Sequence, residues 1–396
     1  MIVSQIPVML MFVAFLVTLL IYPTVLRFAI SHNVMDNPNF RKLQRSPVPV
    51  MGGATIILGI SLSLVLGYFL TGDDNFLKIL PLLFIVFSVG LWDDIKDISP
   101  VTRFLVEIAV IWTMFFLFEV KIYNFHGFLG IFYLKAGLSL PLSIVAGVGI
   151  INALNMIDGI DGYCSIFAAV SCAFFACLFK GICHSEYTMA LIAIGGLIPF
   201  ILHNVFGRTS KMFLGDGGSL IIGTLLSLFV FRALSTPALC AKFCDSGLSL
   251  TAVVLAILAV PIFDTLRVMS FRMIKGLSPF HPDKTHLHHL FLDLQFSHIA
   301  TTGLIVAYNI LIVGALILAW KLGLSGTLQV FLVIVLALGL SLCFYVFMRI
   351  QGRKNGGKGS AIYAKFSREG HKTHISDTRP WLAITRIVDS RFLGRR

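Results

Sequence analysis

Long uncharged apolar runs alternate with short polar segments along the whole chain. The runs lie at about 5–26, 49–71, 76–92, 104–119, 136–154, 163–180, 187–206, 217–235, 246–266, 299–320 and 326–348. A helix that crosses a bilayer needs roughly 17–25 mainly apolar residues. The pattern therefore predicts an all-α polytopic membrane protein with about eleven transmembrane helices. The third run is short, and the fourth holds Glu107 and ends on Glu119, so these two are the least regular spans. Residues 1–348 then make a membrane domain and 349–396 a basic tail. The first run lacks a basic n-region and a small-residue cleavage site, and reads as a retained span.

Composition sharpens this picture. The 396 residues are 57% hydrophobic and only 13% charged, with a mean hydropathy of +0.91, which excludes an ordinary soluble domain. Cytoplasmic loops carry the excess of Lys and Arg. With the N-terminus outside, the inward loops hold Arg27, Arg41, Lys42, Arg45, Lys96, Arg103, Arg208, Lys211, Arg267, Arg272, Lys275 and Lys284. Twelve more bases follow residue 348, so 24 of the 31 face inward and the C-terminus is cytoplasmic. In the tail, Trp381, Ile384, Val388 and Phe392 form an apolar stripe among arginines, which fits an interfacial helix on anionic lipid or a disordered basic tail. The seven cysteines lack CxxC or CxxH spacing and read as small packing residues, with neither structural zinc nor an obligatory disulfide expected.

The same topology gathers acids on the inner side, among them Asp93, Asp94, Asp97, Asp158, Asp161, Asp216, Asp264 and Asp283. Five polar stretches carry them or adjoin them. In "GLWDDIKDISPVTRF", residues 90–104, Asp93 and Asp94 are adjacent at a helix end and cannot face the same way. Such a pair is costly without Mg²⁺, a basic partner or a proton. In "NALNMIDGIDG", residues 152–162, Asn152, Asn155 and Asp158 recur at helical spacing before a glycine-rich stop. The asparagines suit hydrogen bonding to a nucleobase or ribose, and Asp158 and Asp161 suit a metal, hydroxyls or a cationic partner; interhelical contact with a polar turn explains Asn152 well and the whole run poorly. In "MFLGDGGSLIIG", residues 212–223, Asp216 opens a helix from a glycine-rich turn, where free N–H groups favour phosphate and the carboxylate can hold a metal or simply cap the helix. In "SPFHPDKTHLHHLF", residues 278–291, His286, His288 and His289 could form a zinc site, but the basic surroundings fit contacts to a pyrophosphate better. In "DNPNFRKLQRSPVPVMGG", residues 36–53, Arg41, Lys42 and Arg45 either signal topology or bind an anion at headgroup level.

Taken together and in this order, the five stretches resemble the polyprenyl-phosphate N-acetylhexosamine-1-phosphate transferase family of integral membrane enzymes. "PNFRK", the PxPxxGG that follows and the "SPFxPDxxHxHH" loop are similar to its UDP-N-acetylglucosamine branch. Lys284 stands where that branch usually has Arg, and Leu43 and Gln44 stand where it often has His. The resemblance implies transfer of N-acetylglucosamine-1-phosphate from a UDP-sugar to undecaprenyl phosphate with release of UMP, at the cytoplasmic face of a bacterial inner membrane. It implies Asp93 and Asp94 as the essential acids, Asp216 as the ligand of Mg²⁺ or Mn²⁺, and Asn155, Asp158 and Asp161 on the nucleotide side. It also implies Arg41, Lys42, Arg103, His286, His288 and His289 as substrate-binding residues. The partners are then the UDP-sugar, the lipid phosphate, the membrane and a second copy of the chain in a homodimer, with no nucleic acid.

Elementary chemistry agrees with that reading, since a lipid phosphate attacking a diphosphate needs positive side chains and a divalent cation to bring the anions together. A cation-coupled transporter, the alternative, would place ionisable residues at mid-membrane in two corresponding halves. Here the acids sit at inner helix ends and no internal repeat is visible.

Overall fold

The computed structural model describes residues 5–37, 46–281, 283–354, 384–385 and 387–389, so Arg41, Lys42 and Arg45 lie outside the described residues, as do Trp381 and Phe392. The chain divides into two compact units. One comprises Met1–Tyr123, Leu134–Leu239 and Arg379–Arg396; the other comprises Asn124–Tyr133 and Cys240–Thr378.

The first unit is built from α1 (Ile6–Ser31), α2 (Gly52–Thr71), α3 (Asn75–Lys96), α4 (Pro100–Phe118), α5 (Ala136–Met156), α6 (Tyr163–Phe179), α7 (His184–Phe206) and α8 (Gly215–Ser235). Ahead of α2, the short strands β1 (Met35–Asp36) and β2 (Val48–Pro49) pair antiparallel. Helix α8 is the centre, buried along nearly its whole length and packed by α2, α3, α5 and α6. Its Gly-rich start allows this. Gly90 of α3 meets Gly217 backbone to backbone, so closely that a Cβ on Gly90 would lie 2.5 Å from the Gly217 Cα. Phe213 is drawn to the entry of α2 by main-chain bonds: its N–H donates to Pro49 O at 2.8 Å, and Gly52 N–H donates to Phe213 O at 2.9 Å. The α5–α6 turn is fastened to the α7–α8 loop by buried Asn204, which accepts from Gly162 N–H at 2.8 Å and donates to Met212 O at 2.9 Å. The same loop is held by Asp389, whose carboxylate accepts from Ser210 Oγ at 2.8 Å and from the N–H groups of Arg208 at 3.2 Å and Ser210 at 3.3 Å. Of the tail's apolar stripe, Ile384 and Val388 are described, both half-buried.

Helix α9 (Pro237–Phe243) runs across the boundary between the units in sequence. The second unit contains the antiparallel hairpin of β3 (Asn124–Phe128) and β4 (Ile131–Tyr133). Its helices are α10 (Leu250–Ile257), α11 (Ala259–Ile274), α12 (Leu287–Asp293), α13 (His298–Lys321) and α14 (Gly326–Lys354). Helices α10 and α11 meet at 76°. The break has a local cause: Pro261 has no N–H, and its ring would collide with the carbonyl of Ile257 in a continuous helix. Buried Asn309 of α13 satisfies the groups this frees. Its Oδ1 accepts from Val260 N–H at 3.0 Å, and its Nδ2 donates to Ala256 O at 3.2 Å and Ile257 O at 3.0 Å.

All eleven apolar runs are helical. Among the described residues, nine helices are long and apolar enough to cross a membrane, or ten with the bent α10–α11 pair counted as one span. The run at 163–180 yields α6, which at 17 residues falls in the shorter class.

Candidate active site

Four of the acids and amides singled out from sequence converge at the start of α8 through Arg103. Its Nη1 donates to Asp216 Oδ2 at 2.9 Å and to Asp93 Oδ2 at 3.3 Å, while its Nε donates to Glu107 Oε1 at 3.1 Å. Asn155 Nδ2 donates to Asp216 Oδ1 at 2.8 Å and to Ser219 Oγ at 2.9 Å. The second oxygen of Glu107 accepts from Asn152 Nδ2. Glu107 is buried, its side chain only 2% exposed, and Asp216 keeps a third of its side chain exposed. The result is an arginine fork among three carboxylates, with one carboxylate open to a ligand.

Asp93 and Asp94 point apart, as their adjacency on a helix requires. Asp93 Oδ1 accepts from Ile98 N–H at 2.7 Å, closing the turn between α3 and α4. Asp94 faces α8 instead, and accepts from the N–H groups of Asp216 at 3.1 Å and Gly217 at 3.4 Å. A helix N-terminus leaves its first N–H groups unpaired and carries partial positive charge, so a carboxylate there is stabilising. The Gly90–Gly217 approach makes this reach possible. Gly215 has φ +74°, and a Cβ there would lie 2.5 Å from Asp94 Oδ2.

Asp158 and Asp161 differ in their surroundings. Asp161 Oδ2 pairs with Lys211 Nζ at 2.7 Å. No side-chain bond to Asp158 occurs among the described residues. Burial, then the carboxylates of Asp216, Asp94 and Asp161, push the Asp158 carboxyl well above its ordinary value. Carboxyl groups are thus gathered at the end of α3, just beyond α5 and at the start of α8, in excess of the surrounding bases. That excess, on oxygen donors alone, fits a hard divalent cation such as Mg²⁺, which takes one or two carboxylates and completes its shell with water and phosphate.

The histidine loop belongs to the second unit, and its order comes from residues whose role the sequence did not disclose. Asp264 Oδ2 pairs with His286 Nδ1 at 3.0 Å and accepts from Leu287 N–H at 3.0 Å. Its Oδ1 accepts from Arg267 Nη2 at 2.7 Å and Ser341 Oγ at 2.7 Å. Arg267 Nη2 also donates to Thr285 O at 2.7 Å. Arg272 grips Asp283 with both arms, at 3.1 and 2.9 Å. Burial opposes ionisation of Asp283, but the bonds from Arg272 and Thr285 prevail and hold its carboxyl down at about 2. His288 is buried, and burial with the neighbouring His289 and His286 rings drives it well below its ordinary value. Burial, His286 and Lys284 lower His289 to about 4. Both shifts favour the uncharged form of these two rings. The spacing of Asp264 and Arg267, one helical turn apart, was the available signal; on sequence alone they were only charges at a helix end.

A third grouping went unanticipated. His126, Cys240 and Cys244 bring their ligand atoms within 4.8 Å of one another, the one such cluster among the described residues. Cys-x₃-Cys with a histidine 114 residues away is not a spacing that sequence alone marks as a metal site.

Long apolar helices, with an arginine–carboxylate cluster at the glycine-rich end of a buried one, define a multi-pass membrane protein. Residues 76–233, from α3 to α8, match the family model for glycosyl transferase family 4. The undecaprenyl-phosphate alpha-N-acetylglucosaminyl 1-phosphate transferase of Escherichia coli (strain K12) is 30% identical over 272 residues, 67% of this chain and 70% of its own length. The protein of that name from Salmonella typhi is 29% identical over 295 residues, 71% and 77% of the two chains. A Bacillus subtilis (strain 168) protein with the name "probable undecaprenyl-phosphate N-acetylglucosaminyl 1-phosphate transferase" is 28% identical over 288 residues, 72% and 77% of the two chains. The chain belongs to glycosyl transferase family 4, in the branch of these relatives.

Proposed function

We propose that the protein transfers N-acetylglucosamine-1-phosphate from UDP-N-acetylglucosamine to undecaprenyl phosphate, releasing UMP, as the first membrane step of a cell-surface polysaccharide. The observation that carries this is the Arg103 fork joining Asp93, Asp216 and Glu107 at the N-terminus of α8, in a chain whose relatives bear that activity in their names. Asp216 would hold Mg²⁺, or Mn²⁺ in its place, and the ion's charge would favour the ionised form of Asp158. A bound cation of this kind neutralises the oxygens of a diphosphate as charge shifts between them.

The chain's own residues do the rest. Arg103 is placed to offset charge on the transferred phosphoryl group, and Asn155 fixes the Asp216 carboxylate from the other side. Asp94 is a positioning residue, because its bonds go to the main chain of α8. Asp93 has both oxygens engaged, by Ile98 N–H and by Arg103. Covalent attack by Asp93 would have to break those bonds, whereas direct displacement by the lipid phosphate leaves them in place. A phosphate monoester, with a second pKa of about 6, is already mostly ionised at pH 7.

The orientation that fits is N-terminus outside with eleven spans, α6 and the bent α10–α11 pair each crossing once, and the site and tail on the cytoplasmic face of a bacterial inner membrane. Residues 1–348 form the catalytic membrane domain in this reading, and two copies associate as a homodimer.

The test is UMP release by the purified chain in detergent with undecaprenyl phosphate and a panel of UDP-GlcNAc, UDP-GalNAc and UDP-MurNAc-pentapeptide. UDP-GlcNAc is expected to react fastest, and no release from any donor overturns the proposal. Asp216→Asn should abolish turnover and weaken Mg²⁺-dependent UDP-sugar binding by calorimetry. Asp93→Asn should lose turnover, by about 10²- to 10⁴-fold if it moves a proton, yet keep that binding. The reverse pattern exchanges the two roles.

A further inference from the structure

We propose that His126, Cys240 and Cys244 form a binding site for a borderline-soft divalent cation, zinc foremost, that staples the β3–β4 hairpin to the α9–α10 segment of the second unit. The donor set is one imidazole and two thiols, with all three ligand atoms within 4.8 Å. His126 Nδ1 lies 3.2 Å from Cys240 Sγ. Around a tetrahedral zinc with ordinary Zn–N and Zn–S lengths, those two ligands are about 3.5 Å apart. A small adjustment therefore admits the ion, and three protein ligands leave a fourth position for water or a further donor.

Both halves of the site are held in place without the ion. Cys244 N–H donates to Cys240 O at 2.7 Å, so the two sulfurs stand one helical turn apart on the same side. On the hairpin, His126 adopts φ +51°, an uncommon conformation for a non-glycine residue, and its N–H donates to Asn124 Oδ1 at 2.6 Å. Thr251 Oγ1 donates to Phe125 O at 3.1 Å, and Leu129 N–H donates to Thr327 Oγ1 at 3.1 Å, tying the hairpin to α10 and α14 on either side of the histidine. Sulfur and imidazole select zinc over Mg²⁺ or Ca²⁺, which prefer carboxylate oxygens. The site is thus chemically separate from the acids around α8. Joining His126 to cysteines 114 residues further along the chain closes a long loop, and metal affinity at such a site adds to the stability of the fold.

A disulfide between Cys240 and Cys244 is the competing use of the same sulfurs, but it would give the histidine no part. The test uses the full chain in detergent, stripped with a chelator and reduced. Titration with Zn²⁺ should give one ion per chain, and Co²⁺ in its place should give sulfur-to-metal charge-transfer absorption. Zinc should also protect Cys240 and Cys244 from maleimide, read by peptide mass spectrometry on the wild type, so the result does not depend on any variant folding. C240S with C244S should abolish the Co²⁺ band and H126Q should weaken metal binding at least tenfold, whereas C177S with C343S, at the two exposed cysteines, should leave both intact. The proposal falls if no sulfur band forms, if the band survives C240S with C244S, or if the chain is isolated with a Cys240–Cys244 disulfide and, once reduced, takes up no zinc.

Discussion

Arg103 bonds to three carboxylates at once, and only a guanidinium can do so from one planar fork. Replacing it by methionine leaves Glu107 buried with a single amide partner, a change that costs about 3–5 kcal/mol when a buried ion pair loses one member. Arg103→Met should therefore lower the unfolding temperature sharply and abolish UMP release. Adding Glu107→Gln should restore most of the stability and none of the activity, as measured by thermal unfolding in detergent beside the transfer assay. At this scale the sequence was informative where residues sit close in the chain. The Asp93–Asp94 pair, the Asn155–Asp158 stripe and Asp216 all stood out as carboxylates and amides at helix ends. Glu107 did not, because an acid inside an apolar run reads as an irregular span until its partner Asn152, 45 residues away, is seen beside it.

Helix by helix, the apolar runs located every long element, because a bilayer-length helix announces itself by composition. Their contacts were less visible, since glycine carries no side chain to signal what it touches. Gly90→Ala would drive a methyl into the Gly217 backbone, separate α3 from α8 and pull Asp94 off the helix start. A loss of about 1–3 kcal/mol together with most of the activity is expected. Gly149→Ala on α5, where a methyl meets nothing within 4 Å, should be neutral or stabilising by up to about 1 kcal/mol. The loop at α12 offers a pH test. His289 has its proton affinity lowered from 6.5 to about 4 on folding, so the unfolded chain binds the extra proton first. Its contribution is fully present above pH 6.5 and is lost as pH falls towards 4. Thermal unfolding followed across that window should decline less steeply in His289→Gln than in the parent. The break at Pro261 was legible as a proline in an apolar run; its repair by Asn309 was not, for that asparagine lies in a helix that composition alone marks as an ordinary span.

For the molecule as a whole, length, charge asymmetry and motif order sufficed for the membrane class and the family. The division into two units and the sulfur–imidazole cluster depend on pairings too distant in sequence to read. The Asp389 contact is of that kind, and it bears on how the protein is made. The α7–α8 loop, which leads into the glycine-rich start of α8, takes its N–H partner from a residue about 180 positions later. During synthesis every helix of the first unit can enter the bilayer while that loop still lacks its carboxylate, so the site is completed only after the ribosome has passed residue 389. Asp389→Asn, which keeps the shape but weakens the charge-assisted bonds, should insert normally and yet ripen slowly. In a pulse-labelled cell-free reaction with lipid discs, protease resistance of the 207–211 segment should lag behind membrane integration in the parent, and lag further or never develop in the variant.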